Sequence, residues 1–309
     1  MIESIMKILP FEAANAINGF LNAEKISEIR LRADKPILVN YGGKNKYLAK
    51  NGLSFTDENA IKVTALDIND VVMAAGEYSL YAFNDQIIKG YITVKGGVRL
   101  GICGTAVYDG SKIITVKDFS SVTIRFPHEI KGCGARVYDT IADYGMCNTL
   151  IISPPGGGKT TMLRDLSRLL SSSDPVKNVL VIDERDEIAS SLFGSAMLDV
   201  GKNVDIMNNC SKEFAFENGV RSMCPDIIIT DELYSLNDID YIREAAGSGV
   251  RVIASAHAES IESFAKRELG KRIINEKLFD MYVLLSFKSG VGTIEAILDS
   301  DLRGIGDVG

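Results

Sequence analysis

The strongest constraint on this chain is a glycine-rich segment between a strand-like run and a helix-like run. Residues 153–161 read SPPGGGKTT, with the apolar TLII before them and the amphipathic MLRDLSRLL after them. Gly156, Gly157 and Gly158 tolerate backbone conformations that other residues avoid, so their N–H groups can turn toward one point at the start of the helix. Such a cradle is suited to a phosphate group.

The loop pattern gives each residue a separate contact. Lys159 would reach the β- and γ-phosphates of a nucleotide, and the Thr160 hydroxyl would bind Mg²⁺. Pro155 and Thr161 complete the predicted phosphate-binding set together with the three glycines. The usual motif begins with Gly, whereas Ser153 holds that place here, which affects the entry into the loop and leaves the GGGKT core intact. The sequence therefore predicts ATP and Mg²⁺ as ligands.

Two further apolar runs end in acidic residues. VLVID leads into Asp183 and Glu184, and DIIIT leads into Asp231 and Glu232. Because the carboxyl ends of parallel strands meet at one edge of a sheet, we expect these acids beside the phosphate loop. We assign Asp231 to the Mg²⁺ shell and Glu232 to the attacking water. Asp183, as a second metal ligand, and Glu184, as a second catalytic acid, would flank the γ-phosphate and could share either task; exposed loop carboxylates are the alternative.

A histidine follows the fourth apolar run. VRVIASAHAES places His257 at the same predicted edge of the sheet, where a hydrogen bond to the γ-phosphate or to a neighbouring acid would let it sense hydrolysis. A structural histidine is the alternative. The chain has two histidines, and His128, beside Pro127, is the weaker candidate.

The pattern of apolar and polar residues changes near residue 125. Residues 1–124 mix a helix-like segment with alternating, glycine-punctuated strands, which predicts a smaller α+β N-terminal domain. Residues 125–309 alternate continuous apolar strands with helix-length segments and end in a predicted hairpin. This pattern predicts an α/β domain with a mostly parallel sheet covered on both faces, and the glycine loop makes it a P-loop NTPase domain.

Turn and cap residues set expectations within the N-terminal part. Lys35-Pro36 predicts a turn between two strands, and Asp109-Gly110 predicts a hairpin turn. The segment TALDINDVVMAAG predicts a helix capped by Asp67 or Asn69 and ended by Gly76.

Composition excludes several classes of protein. The net charge is −7; residues 1–124 hold 14 basic and 13 acidic residues, and the remainder holds 20 basic and 28 acidic. This balance opposes a general nucleic-acid binder. No apolar run approaches the roughly 18–20 residues of a membrane span, and the acidic opening is a poor signal peptide. Five scattered cysteines predict reduced thiols.

The motifs together resemble a known group of enzymes. SPPGGGKTT, VLVIDERDEIA, RSMCPDIIITDEL and VIASAHAES are similar to the Walker A, acidic, Walker B and histidine boxes of the type II and type IV secretion ATPases. SEIRLRADKPILV, SVTIRFPHEIKGC and VLLSFKSGVGTIEAI resemble the stage III sporulation protein AA family of that superfamily. The resemblance covers nearly the whole chain.

The resemblance implies a biological setting. It implies an ATPase of the mother-cell cytoplasm with a RecA-like P-loop domain, which forms a homo-oligomer, a hexamer. The oligomer would be docked peripherally on membrane channel proteins that link mother cell and forespore. It also implies arginines from the N-terminal domain or a neighbouring subunit near the γ-phosphate. Arg99 is the first choice, ahead of Arg30, Arg32 and Arg125, while Arg221 is expected to pair locally.

Two other functions stay open at this point. A P-loop nucleic-acid motor is opposed by the acidic balance and by the lack of a basic, aromatic platform, so no nucleic acid is expected as a partner. A nucleotide-gated scaffold with little turnover is opposed by the presence of both the Asp231-Glu232 pair and His257.

Overall fold

The computed structural model describes residues 2–22, 25–127 and 129–305. His128, the weaker histidine candidate, lies outside the described residues. The helices are α1 (Ile2–Met6), α2 (Phe11–Phe20), α3 (Ala65–Ala75), α4 (Asn84–Ile88), α5 (Ala135–Tyr144), α6 (Lys159–Leu170), α7 (Lys212–Met223), α8 (Asn237–Gly247), α9 (Ile261–Ala265) and α10 (Glu268–Asn275), with a 3₁₀ turn at Leu80–Phe83. The strands are β1 (Ile26–Arg32), β2 (Lys35–Pro36), β3 (Leu38–Tyr41), β4 (Lys44–Ala49), β5 (Gly52–Ser54), β6 (Lys62–Val63), β7 (Tyr91–Val94), β8 (Val98–Asp109), β9 (Lys112–Arg125), β10 (Thr149–Ser153), β11 (Val179–Asp183), β12 (Ser191–Leu192), β13 (Ser195–Ala196), β14 (Val204–Asn208), β15 (Ile227–Glu232), β16 (Arg251–His257), β17 (Met281–Ser286) and β18 (Thr293–Asp299).

The chain divides into two compact units, residues 1–128 and residues 129–309. The boundary predicted after residue 124 would separate Arg125 from the first unit. Arg125 is the last residue of β9, and it pairs with Glu28 of β1 in the antiparallel ladder. The whole of β9 therefore belongs to the first unit.

The first unit is built on a seven-stranded antiparallel sheet. Its strand order is β5-β4-β3-β1-β9-β8-β7. Alternation along β1 buries Ile29 and Leu31, while Arg32 at the strand end is exposed. Helix α3 contacts β9 and β1 and buries Ile68 and Val72. An antiparallel sheet with one packed face and one polar face follows from this period of two.

Two local expectations in the first unit were wrong. Lys35-Pro36 forms the short strand β2, which pairs with β6, and the chain reverses just before it at Asp34, whose φ is 59°. The cap of α3 is Thr64, and Asp67 is the third helical residue of a capping box with it. Gly76 ends the helix as expected.

The predicted meander is confirmed. Strands β7, β8 and β9 pair antiparallel in chain order. Asp109 lies opposite Lys112, so Gly110 and Ser111 are the two central residues of the hairpin turn, and Gly110 has a φ of 60°.

The second unit holds a seven-stranded, mostly parallel sheet in the order β14-β11-β15-β16-β10-β17-β18. Every pairing is parallel except that of β17 with β18, the predicted terminal hairpin. All five residues of β10 and all five of β11 are buried. The predicted α/β fold is therefore confirmed.

Helices cover both faces of this sheet. One core cluster packs α5 and α6 against strand residues such as Ile151 and Val181. The other packs residues of α7, α8, α9 and α10 against the alternate strand residues, such as Ile152 and Leu180. Continuous apolar strands follow from this double coverage.

Two simpler features complete the fold. All five cysteines are free thiols, as predicted. Within the described ranges, no helix is long and apolar enough to cross a membrane.

Candidate nucleotide-binding site

The glycine loop joins β10 to the 12-residue helix α6. Gly156 and Gly158 have φ values of 73° and 94°, in the left-handed region that other residues avoid. A Cβ on Gly157 would lie 2.5 Å from Ser153 Oγ and 3.0 Å from the Pro154 carbonyl oxygen, so a larger residue there would have to displace Ser153. The backbone N–H groups at the start of α6 have no intrahelical partner and carry the positive end of the helix dipole. The loop is thus shaped to hold an anion.

Lys159, the first residue of α6, folds back onto this loop. Its side chain is almost fully buried, and Nζ lies 3.4 Å from the carbonyl oxygens of Ser153 and Pro154. The shortest contact joins Nζ to Nδ1 of His257 at 2.7 Å. Burial lowers the pKa of Lys159, and the nearby carboxylates only partly oppose this shift.

The strand ends converge beside the loop. Strand β16 runs parallel to β10 and places His257 opposite Ser153, and β15 follows on the other side of β16 with Asp231 and Glu232 at its end. Asp231 Oδ1 lies 3.4 Å from Ser255 Oγ of β16. The structure therefore brings together four predicted side chains: Lys159, Asp231, Glu232 and His257.

His257 connects the phosphate-loop lysine to the acid at the end of β15. Its Nε2 lies 3.3 Å from Glu232 Oε2, while its Nδ1 faces Lys159. Burial and the positive charge of Lys159 lower the pKa of His257. A neutral imidazole fits both contacts, because Nδ1 then accepts from the ammonium and the Nε2 proton is donated to the carboxylate.

The donors available to Mg²⁺ are few, as P-loop sites require. Among the described residues, no group of three His, Cys, Asp or Glu side chains could hold a metal ion by itself. Mg²⁺ in nucleotide sites needs only one or two protein oxygens, because phosphates and water supply the rest. Burial and the carboxylates of Glu187, Asp183 and Glu232 raise the pKa of Asp231 to about 6. A cation would relieve this crowding of negative charge, so the site fits the ion.

The remaining loop residues lie where a phosphate could reach them. Pro155 is exposed, and Thr160 and Thr161 are partly exposed in the first turn of α6. Thr160 and Asp231 stay the predicted metal ligands.

Asp183 has a different environment from the one predicted. Its carboxylate is fully buried and accepts three backbone N–H groups, from Glu187 at 2.8 Å, Ile188 at 2.9 Å and Ala189 at 2.8 Å. Burial raises the pKa of Asp183, and the three N–H donors oppose this. The side chain fixes the loop that follows β11, and its place in the metal shell stays a prediction.

Glu184 is held by two neighbouring side chains. Its carboxylate accepts from the Tyr234 hydroxyl at 3.2 Å and from Lys212 Nζ at 3.3 Å. Lys212 is buried, donates to the backbone carbonyl of Glu232 at 2.6 Å, and lies over the Tyr234 ring. Through Lys212, Glu184 therefore helps to hold the end of β15, and its role beside the γ-phosphate stays a prediction.

The N-terminal arginines have partners within the first unit. The Arg99 guanidinium stacks on the Tyr91 ring, 3.7 Å from its centroid. Arg30 and Arg125 both bind Glu28. Their role near a nucleotide stays a prediction. In the second unit, Arg221 pairs with Glu217 one helical turn away, which confirms the expected local pairing.

Two side chains near this site were missed by sequence reasoning. Arg185 Nη1 lies 3.5 Å from Glu232 Oε2. Lys212 supports the Glu232 backbone from α7. Arg185 stands inside the quoted run VLVIDERDE and could have been noticed there. Lys212 carries no local signal, because only the tertiary fold brings α7 to the end of β15.

The sheet order, the glycine loop and the acids at the neighbouring strand ends define the second unit as a RecA-like P-loop NTPase domain. The family model described as Sporulation stage III, protein AA matches residues 3–305, and the chain belongs to that family. Stage III sporulation protein AA of Bacillus subtilis (strain 168) is 34% identical over 307 residues, which cover 97% of this chain and 96% of that protein. The resemblance drawn from the motifs is confirmed.

Solved structures share the fold. The ATPase DotB of Yersinia pseudotuberculosis is similar with a TM-score of 0.54 and 17% identity, over 85% of this chain and 71% of that chain. The pilus retraction motor PilT with bound ADP gives a TM-score of 0.53 and 16% identity, over 84% of this chain and 74% of that chain. At this level of identity the similarity establishes the fold alone.

Proposed function

We propose that this chain is an ATPase that converts ATP and water to ADP and phosphate and thereby drives a machine of endospore formation. The observation that carries the proposal is the contact path from Lys159 through His257 to Glu232. This path links the phosphate loop to the acid best placed to activate water. Membership of the sporulation family supports the setting, and the fold shared with DotB and PilT supports a motor role.

Each protein group has a task in this reaction. The loop amides and Lys159 bind the phosphates, so the ammonium exchanges His257 Nδ1 for phosphate oxygen. Glu232 orients the attacking water and takes up its proton, while neutral His257 holds the Glu232 carboxylate in place. Thr160 and Asp231 would hold Mg²⁺, which would supply positive charge against the phosphate oxygens.

We further propose that the active form is a homo-oligomer, a hexamer by analogy with secretion ATPases. It would act from the mother-cell cytoplasm and bind peripherally to membrane channel proteins between mother cell and forespore. There it would energise channel assembly or transport through the channel. Arg99 stays the first N-terminal candidate for an arginine that reaches a nucleotide.

The test is phosphate release by the purified chain, measured with and without membranes that contain the sporulation channel proteins. Lys159→Ala should abolish nucleotide binding and turnover, because it removes the buried cation of the loop. Glu232→Gln should keep ATP affinity within about threefold and lower kcat by at least about 100-fold, since an amide cannot accept the proton.

Glu217→Gln is the matched control. Glu217 is an exposed carboxylate on α7 that pairs with Arg221, so its loss should leave turnover unchanged. Phosphate release by Glu232→Gln at the parent rate would refute the proposal. Tight nucleotide binding without turnover, even with the membranes, would favour the scaffold, and stimulation of turnover by DNA or RNA would favour a nucleic-acid motor.

A further inference from the structure

We propose that Arg185 contacts the terminal phosphate of bound ATP, and that it does so on the same chain that carries the phosphate loop. This inference rests on the proposed function and adds a catalytic residue to it. It assigns to the second unit a task that the family resemblance implied for N-terminal arginines or for arginines of a neighbouring subunit.

The backbone of Arg185 is held in place at the end of β11. Asp183 accepts N–H groups from three residues of the following loop. From the other side, Arg164 of α6 donates to the carbonyl oxygens of Ile188 at 2.6 Å and Glu187 at 2.8 Å. Since α6 is the helix that begins at the phosphate loop, the segment that carries Arg185 is tied to the same helix that would bind the phosphates.

The Arg185 side chain extends from this fixed base toward the acid of the site. Its Nη1 lies 3.5 Å from Glu232 Oε2, the same oxygen that faces His257 Nε2 at 3.3 Å. His257 and Asp231 are both close enough to feel the positive charge of Arg185, which slightly opposes the burial-driven rise of the Asp231 pKa. The guanidinium therefore lies among the groups that would surround the end of a bound triphosphate.

Arg185 can leave Glu232 for another partner at a small cost in free energy. The Arg185 side chain is 56% exposed and the contact is long, and such ion pairs contribute at most about 1 kcal/mol. A phosphate group offers several charged oxygens to the planar fork of an arginine, and that pairing is stronger. A triphosphate that enters the loop is therefore the better partner.

The charges around the site favour the movement of Arg185 from Glu232 to a phosphate. Asp231 and Glu232 are already close to other carboxylates, and a terminal phosphate would add more negative charge beside them. The two nearby lysines already have partners: Lys212 donates to the Glu232 carbonyl and to Glu184, and Lys159 contacts the phosphate loop. Arg185 can leave the Glu232 carboxylate and contact the terminal phosphate. Its guanidinium then stabilises the negative charge that develops in the transition state, and Glu232 is free to bind the attacking water.

The experiment compares Arg185→Ala and Arg185→Lys with the parent and with Arg221→Ala. Arg221 is a matched control, because it is an exposed arginine of the same unit whose partner is Glu217 on its own helix. Two quantities are measured: kcat for phosphate release, and the affinities for Mg·ADP and for Mg·ADP–aluminium fluoride, which mimics the transferring phosphoryl group.

We expect Arg185→Ala to lower kcat by about 10³-fold or more, the range found when an arginine that stabilises phosphoryl transfer is removed. Affinity for ADP should stay within about threefold of the parent, while affinity for the aluminium fluoride complex should fall at least 100-fold. Arg185→Lys should give an intermediate loss, because it keeps the charge without the fork. Arg221→Ala should match the parent.

A loss of less than threefold in both kcat and aluminium fluoride affinity for Arg185→Ala would overturn the inference and leave Arg185 as a surface ion pair. The assignment to the same chain is tested by repeating the binding measurements on dilution, with the mass determined in parallel. The effect of Arg185→Ala should persist in the monomer, and its disappearance on dissociation would refute the assignment. A parent that binds the complex but releases no phosphate, even with the membranes present, would defeat the proposed function, while the affinity ratio would still decide the role of Arg185.

Discussion

The two units bury charge very differently. Among the described residues of the first unit, Thr93 is the one polar side chain that is buried. The second unit buries many polar and charged groups, among them Lys159, Asp183, Lys212 and Asp231. The sheet types explain part of this contrast. A one-sided antiparallel sheet leaves its charges in water, whereas a parallel sheet covered on both faces encloses whatever stands at its strand ends.

The contrast shows that the free-energy cost of burying charged groups falls on the second unit. A buried charge is costly unless it is paired, and groups kept under such conditions mark functional sites. The buried charges of the second unit have partners: Lys212 binds the Glu232 carbonyl, and Asp183 binds three N–H groups. The first unit shows ordinary surface pairs such as Lys50 with Glu12.

The largest effect on stability is expected from loss of a buried cation. Lys212→Met removes the donor to the Glu232 carbonyl at 2.6 Å and leaves the Glu184 carboxylate without its ammonium partner. Breaking a buried pair in this way costs about 3–5 kcal/mol. Lys50→Met, at an exposed pair of the first unit, should change the free energy of unfolding by less than about 0.5 kcal/mol. Urea unfolding of both variants measures the difference.

Equal losses in these two variants would break the comparison, because they would mean that burial does not set the value of the pairs. A smaller loss for Lys212→Met than for Lys50→Met would have the same meaning.

A smaller effect is expected from a close backbone approach in the first unit. Gly104 lies at an irregularity between β8 and β9, where an added Cβ would be 2.6 Å from the carbonyl oxygen of Lys117. Gly104→Ala should lower the free energy of unfolding by about 1–3 kcal/mol. Gly101→Ala is the control, because its Cβ would meet the Thr123 carbonyl at an ordinary 3.8 Å. ADP affinity, which the proposed function assigns to the second unit, should stay unchanged in the folded Gly104→Ala protein.

The elements around the nucleotide site were predictable because their signals are local. The GGGKT core is recognised from its own glycines and lysine. Apolar runs such as VLVID predict buried parallel strands from their own residues. The order of the strands then brings Asp231, Glu232 and His257 to one edge, which a parallel sheet requires.

The directions of individual side chains could not be predicted. Asp183 stands at a strand end just as Asp231 does, but the loop after it curls back and occupies its carboxylate with backbone N–H groups. Lys212 is positioned by packing of α7, which no local pattern reveals. The cap of α3 differs from the expectation for a local reason. Thr64 and Asp67, three residues apart, form a capping box in which Thr64 is the cap and Asp67 is its partner.

A pH profile sharpens the comparison at the polar face of the first unit. Burial by itself would raise the pKa of Glu28, but hydrogen bonds from Arg30 and Arg125 outweigh it and lower the pKa below its ordinary 4.5. A lowered acid pKa gives stability that is present above pH 4.5 and is lost as the pH falls through the folded-state value. Glu28→Gln should reduce the free energy of unfolding at pH 7 by about 1 kcal/mol or less, and should flatten its decline between pH 5 and pH 3. An unchanged decline would show that the two arginines do not hold this carboxylate.

The smallest effect is expected at His257, and it falls in a different pH range. Burial and Lys159 lower the pKa of His257 below its ordinary 6.5, so the unfolded chain takes up this proton more readily than the folded one. The associated stability is complete above pH 6.5 and declines as the pH drops toward the folded-state value. His257→Gln should therefore reduce the change in unfolding free energy between pH 7.5 and pH 5.5, a window that Glu28→Gln leaves unaltered. If the parent and His257→Gln give parallel profiles, the imidazole accepts its proton without cost. Lys159 must then leave Nδ1 on protonation, and the path from the loop to Glu232 would be broken in the acidified protein.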